Sequence, residues 1–161
     1  MNGFFVTGIG TDIGKTVASA VLVEALKADY WKPIQCGNLD FTDSDFIKEH
    51  TINQQTIHSE EYLFAEPVSP HLAAKFDNKI IDFQYIKLPK SNNYMIVEGA
   101  GGVLVPLTNE YLIIDLIIKL QLPVILVSMN YLGSINHTLL TIAALKDKNI
   151  DYLHLISGHD F

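Results

Sequence analysis

The chain has 161 residues, enough for one domain around one buried core. Its formal net charge of −7, and the absence of any arginine among its 11 basic residues, exclude a nucleic-acid binder that relies on bulk electrostatics. No apolar run is long enough to span a bilayer, and the single cysteine, Cys36, allows no internal disulfide and fits a reducing cytoplasm.

The start, Met1-Asn2-Gly3-Phe4-Phe5-Val6, lacks a basic n-region and reads as a first strand rather than a signal peptide. Phe4 to Thr7 is predicted as a short buried strand, followed by glycines and a helix from Thr16 to Ala28. Tyr30 to Ile34 is predicted as a second strand whose pairing Pro33 limits. Asp43-Ser44-Asp45 reads as a cap before a short helix through His50. Residues 51–62 are polar and weakly patterned. Ser69-Pro70 starts a helix through Lys75, with serine at the N-cap and proline at the first helical position. Tyr94 to Val97 is a strand ending in Glu98, and Gly99, Gly101 and Gly102 form a turn. Tyr111 to Leu120 is an apolar helix, Pro123 to Ser128 a strand, Ile135 to Lys148 a helix, and Tyr152 to Ile156 a last strand. The alternation predicts an α/β fold with a parallel sheet covered by helices on both faces. No internal repeat, low-complexity segment or second domain interrupts it.

Three segments carry chemistry. In Gly8-Ile9-Gly10-Thr11-Asp12-Ile13-Gly14-Lys15-Thr16, glycines let backbone N–H groups turn inward, and the next helix presents its positive end to an anion. Lys15 has the reach for the β- and γ-phosphates of a nucleoside triphosphate, and the Thr16 hydroxyl for magnesium. The usual spacing would put glycine at Ile9, so Gly8 marks a lengthened variant of the phosphate loop. The second segment is Met95-Ile96-Val97-Glu98-Gly99-Ala100-Gly101-Gly102. A carboxylate at the carboxyl end of a parallel strand lies where such sheets bind ligands, and beside a triphosphate Glu98 would bind magnesium. The third is Lys32-Pro33-Ile34-Gln35-Cys36-Gly37, followed by Asp43 and Asp45. On the residues alone, Lys32 reads first as a surface lysine, Asp45 equally as a metal ligand or a helix cap, and Cys36 as a small packing residue. The six histidines, His50, His58, His71, His137, His154 and His159, lack paired metal-ligand spacing. Asn136 reads as a helix cap.

Taken together, these segments resemble the dethiobiotin synthetase family. The matching stretches begin with Phe5-Val6-Thr7-Gly8 with Gly14-Lys15-Thr16-Val17, Lys32-Pro33, and Ser44-Asp45. They continue with Phe64-Ala65-Glu66-Pro67 with Ser69-Pro70-His71, Val97 to Gly102, and Leu132-Gly133-Ser134-Ile135-Asn136-His137. The Glu-Pro-x-Ser-Pro-His and Gly-x-Ile-Asn-His segments are far more specific than the glycine-rich loops. The resemblance implies a P-loop NTPase type of fold and a single ligase domain over 1–161. It implies an ATP-dependent ring closure that joins CO2 to 7,8-diaminononanoate through a carbamate. By the same resemblance Lys15 acts on the transferring phosphoryl group, and Thr16, Asp45 and Glu98 match magnesium positions. Lys32 matches a catalytic lysine, and Thr11 a substrate-contacting one. Asp12, Ile13, Gly14, Val17, Gly99, Ala100 and Gly101 fall within the nucleotide-binding stretches. Cys36 stands where the family commonly has a substrate-contacting serine. Asn136 matches a residue that reaches the substrate of a partner subunit, in a homodimer with sites at the interface.

The family is expected to continue past the strand at Tyr152 to Ile156 with an asparagine that helps hold the base. Here Ser157-Gly158-His159-Asp160-Phe161 follows, so the expectation is a chain lacking the family's C-terminal segment, with weaker base recognition. Two alternatives stand beside the ligase. One is a remnant that binds nucleotide without turnover. The other is a regulatory P-loop ATPase, against which Gly10 argues because those proteins carry a signature lysine there.

Overall fold

A computed structural model describes residues 2–52 and 55–158; His159 and the other residues of the final tripeptide lie outside the described residues. The described residues form eight strands and five helices, beginning with β1 (Gly3–Gly8), α1 (Lys15–Leu26), β2 (Asp29–Trp31) and β3 (Ile34–Cys36). Next come α2 (Asp43–His50), β4 (Ile57–His58), β5 (Tyr62–Phe64) and α3 (Pro70–Phe76). The chain continues with β6 (Met95–Gly102), α4 (Ile113–Leu120), β7 (Val124–Met129), α5 (Ser134–Asp147) and β8 (Tyr152–Ser157). Six strands form one sheet in the order β4-β2-β6-β1-β7-β8, and every pairing in it is parallel.

A parallel sheet needs apolar cover on both faces, and two separate clusters supply it. On one face, α1 and α2 lay Ala18, Ala20, Val23 and Ile47 against Val6, Tyr30, Ile96 and Val127. On the other, Ala73 of α3, Leu116 and Ile117 of α4 and Leu145 of α5 cover Phe5, Val97 and Leu126. The expected α/β architecture of P-loop NTPase type is therefore present. Among the described residues, no helix is long and apolar enough to cross a membrane.

Two expectations about strands need correction. The single strand over Tyr30 to Ile34 is broken at Lys32-Pro33: β2 stays in the main sheet, whereas β3 pairs with β5 in a separate two-stranded piece. Proline has no N–H to give the ladder, and the break lets Lys32 leave the sheet plane. The strand carrying Glu98 does not end in a glycine turn there but runs on to Gly102. Its register against β1 shifts between Val6 opposite Glu98 and Gly8 opposite Gly102, so the glycine-rich half bends over the phosphate loop. Gly101 takes the left-handed turn at φ 69°.

Candidate active site

β1 ends at the phosphate loop, on the carboxyl side of the sheet. Ile13 folds its side chain under the loop and is buried. A Cβ on Gly8 would lie 2.4 Å from Ile13 Cδ1, so the glycine role does belong to Gly8, and Ile9 is free to be a larger residue. Gly14 sits at φ 87°, a left-handed conformation that redirects the chain into α1. The first turn of α1 carries no acidic side chain, so its positive end is open to an anion. The Ser157 hydroxyl at the end of β8 donates to Ile13 O at 2.5 Å and braces the loop from behind. Lys15 is buried, with Nζ donating to Gly10 O at 2.9 Å. Burial pulls its pKa below the usual lysine value, with the Glu98 charge opposing.

Glu98 is the hub. Its residue is 1% exposed, and the carboxylate is held from four sides. Oε1 accepts from the Thr16 hydroxyl at 3.0 Å and from Lys32 Nζ at 3.3 Å. Oε2 accepts from Ser19 at 2.7 Å and from Tyr30 at 3.1 Å. Lys32 is as buried as Glu98's surroundings and reaches a second carboxylate, Asp43 Oδ2, at 2.6 Å. Burial works against its charge, yet Glu98 and Asp43 outweigh that and raise its pKa, so Lys32 is a cation here. It is a site lysine and not a surface one.

Asp45 makes the contacts of a helix cap. It is the third residue of α2 and closes a capping box with Thr42: the Asp45 N–H donates to Thr42 Oγ1 at 3.1 Å, and Thr42 N–H and Oγ1 donate back to Asp45 Oδ2. The Thr42 hydroxyl and backbone, with Lys48, hold the Asp45 carboxyl below its ordinary pKa. The cap of α2 is thus Thr42, not the Asp43-Ser44-Asp45 run, and the carboxylate that enters the cleft is Asp43.

The cleft these residues line has a volume of about 690 Å3. Thr11, Asp12, Gly14, Thr16 and Val17 form its phosphate-loop wall, and Ala100 and Gly101 the opposing one. Cys36 also lines it, half-buried, and burial pushes its thiol up to about 11. Ile13 and Gly99 shape the site from beneath: a Cβ on Gly99 would lie 2.8 Å from the Phe5 ring. Asn136 is not in the cleft but exposed near the start of α5, beside exposed Ile135 and Leu139. Sequence reasoning missed Ser19 and Tyr30, which carry no local signal. The Pro67–Pro70 wall was marked by the Glu-Pro-x-Ser-Pro-His segment, though not as part of the cleft.

The donor set fits magnesium. Thr16, Glu98 and Asp43 offer oxygen atoms, and this cation is commonly held by one or two carboxylates together with phosphate oxygens. Among the described residues, no group of three or more His, Cys, Asp or Glu could hold a metal ion.

Similarity to known proteins agrees with this geometry. A family profile described as an AAA domain matches residues 2–157. The chain is 49% identical over 158 residues to the ATP-dependent dethiobiotin synthetase BioD of Christiangramia forsetii, covering 98% of this chain and 76% of that one. It is 48% identical to the protein of the same name from Lawsonia intracellularis, covering 95% and 74%. A third, from Cytophaga hutchinsonii, is 51% identical, with 93% and 73% covered.

Proposed function

Because the chain belongs to the dethiobiotin synthetase family, a family of ATP-dependent ligases of biotin biosynthesis, we propose that its cleft carboxylates 7,8-diaminononanoate and closes the ureido ring at the expense of ATP. The observation that carries this reading is the meeting of Lys15, Thr16, Lys32 and Glu98 in one cleft at the carboxyl ends of the strands. Lys32 adds a second buried cation beside the phosphate-loop lysine, and a reaction that phosphorylates an anion can use it to hold that anion against the γ-phosphate.

The proposed sequence is as follows in bonds. One substrate amine forms an N–C bond to CO2 and loses a proton, giving a carbamate. A carbamate oxygen attacks the γ-phosphorus while the bond to the β-bridging oxygen breaks and ADP leaves. The second amine then attacks the carbonyl carbon, the C–O bond to phosphate breaks, and inorganic phosphate departs as that amine loses its proton. Lys32, buried and cationic, neutralises the carbamate and orients it toward the γ-phosphate. Lys15 exchanges its contact with Gly10 O for phosphate oxygens, and the loop N–H groups hold the same anion. Thr16, Glu98 and Asp43 would hold magnesium, which when bound supplies charge neutralisation on the β- and γ-oxygens. Thr11 and Cys36 line the part of the cleft left for the diamine, where a thiol replaces a stronger hydroxyl donor.

The exposed apolar residues of α5, Ile135, Leu139 and Leu140, support a homodimer in which Asn136 faces a partner's cleft. The proposed setting is the cytoplasm, with neither nucleic acid nor a membrane as a partner. The test is phosphate release followed with each component omitted in turn. Release is expected only with ATP, magnesium, bicarbonate and the diamine together. ATP hydrolysis at one rate regardless of the diamine would overturn the ligase reading and favour a nucleotide hydrolase.

A further inference from the structure

The two oxygens of Glu98 have different neighbours. Both donors to Oε1, Thr16 and Lys32, line the cleft, whereas both donors to Oε2, Ser19 and Tyr30, lie outside its lining. Ser19 comes from the inner face of α1 and Tyr30 from the middle of β2, and each is 0% exposed. We infer that Ser19 and Tyr30 are positioning residues: two buried hydroxyls seize one oxygen of Glu98, so that the carboxylate presents the other oxygen alone to whatever cation the cleft receives.

The chemistry of the two hydroxyls supports a permanent clamp. Each has one proton, and each points it at Oε2. The contacts on Oε1, at 3.0 and 3.3 Å, come from groups in the cleft that the bound phosphates would recruit. Ligand binding therefore changes the partners of one oxygen while the other stays fixed. A carboxylate pinned in this way is pre-oriented and pays less ordering entropy when it meets a cation, as groups holding a metal ligand from behind do.

This inference rests on Glu98 facing the magnesium of bound ATP. The test is calorimetric titration of ATP into the chain with and without magnesium, for the unaltered protein and for Tyr30→Phe, Ser19→Ala and Glu98→Gln. The quantity read is the ratio of the two affinities, with thermal unfolding measured alongside. Tyr30→Phe and Ser19→Ala are each expected to shrink the magnesium-dependent gain by on the order of tenfold, with metal-free ATP affinity unchanged. A merely structural role would lower both affinities, or the melting temperature, and leave the ratio intact; that result overturns the inference. If Glu98→Gln shrinks the ratio but Tyr30→Phe and Ser19→Ala do not, the clamp fails and the reading of Glu98 survives. If Glu98→Gln also leaves the ratio intact, or the unaltered chain shows no magnesium-dependent gain, the reading of Glu98 fails and the clamp fails with it.

Discussion

Replacing Lys32 and replacing Glu98 should have opposite balances of stability and function. Glu98→Leu leaves Lys32 buried with a single carboxylate, Asp43, and strips Thr16, Ser19 and Tyr30 of their acceptor. Asp43 still compensates the Lys32 charge, but the buried Ser19 and Tyr30 hydroxyls are left without an acceptor, at a combined cost of about 3–5 kcal/mol. Lys32→Met leaves the reverse situation. Glu98 keeps three hydroxyl donors, and Asp43, with 32% of its side chain exposed, turns to water. The remaining loss is about 1 kcal/mol, that of one hydrogen bond partly replaced by apolar packing. In a domain of this size 1 kcal/mol moves the melting temperature by about 2–4 °C. Differential scanning calorimetry should therefore find Lys32→Met within a few degrees of the unaltered chain, and Glu98→Leu lower by roughly 6–20 °C. Phosphate release dependent on the diamine should vanish in both. If Lys32→Met melts as low as Glu98→Leu, the ion pair rather than the hydroxyls holds Glu98, and the reasoning about its four donors is wrong.

Gly8→Ala should destabilise by about 1–3 kcal/mol, because its Cβ meets the buried Ile13 side chain; adding Ile13→Val should recover part of the melting temperature. Asp43→Asn should weaken diamine-dependent turnover far more than Asp45→Asn, which should instead lower the melting temperature slightly through the α2 cap; the reverse ranking in steady-state kinetics would make Asp45 the site carboxylate. The Cys36 thiol, raised by burial from 9.0 to about 11, should alkylate with iodoacetamide about a hundredfold more slowly than an exposed cysteine at neutral pH, with the rate climbing as pH rises toward that value. A rate like that of free cysteine would show the cleft to be open around it. Leu139→Glu should yield a monomer in light scattering if the exposed face of α5 joins two copies, and an unchanged mass would remove that face from the interface.

The parts of this molecule that were legible in sequence are those written locally. The phosphate loop declares itself through glycines, a lysine and a hydroxyl within one turn of chain, and the helices through their apolar spacing. Glu98 was legible because a carboxylate followed by glycines at a strand end is itself a local pattern. Asp43 and Asp45 were not separable, since both stand in the first turn of α2 and the choice depends on Thr42 reaching forward to cap. Ser19 and Tyr30 were invisible for a different reason. One reads as an ordinary small helix residue and the other as a strand aromatic, and only the placement of β2 beside β6 brings both hydroxyls to Glu98. The break at Lys32-Pro33 was half legible: proline announced a limit to pairing, but not that β3 would join β5 instead.

The order of the sheet also sets a timetable for synthesis. β1 is flanked by β6 and β7, so the first strand made has no partner until Met95 and the residues after it have been made. β2, too, depends on β6 for one edge. A nascent chain therefore carries its phosphate loop for most of translation with no Glu98 beside it, and with two apolar strand edges unpaired. Such distant pairings fold slowly and leave sticky intermediates on the ribosome. The central position that gives β6 its command of the cleft makes it the strand on which the rest of the molecule has to wait.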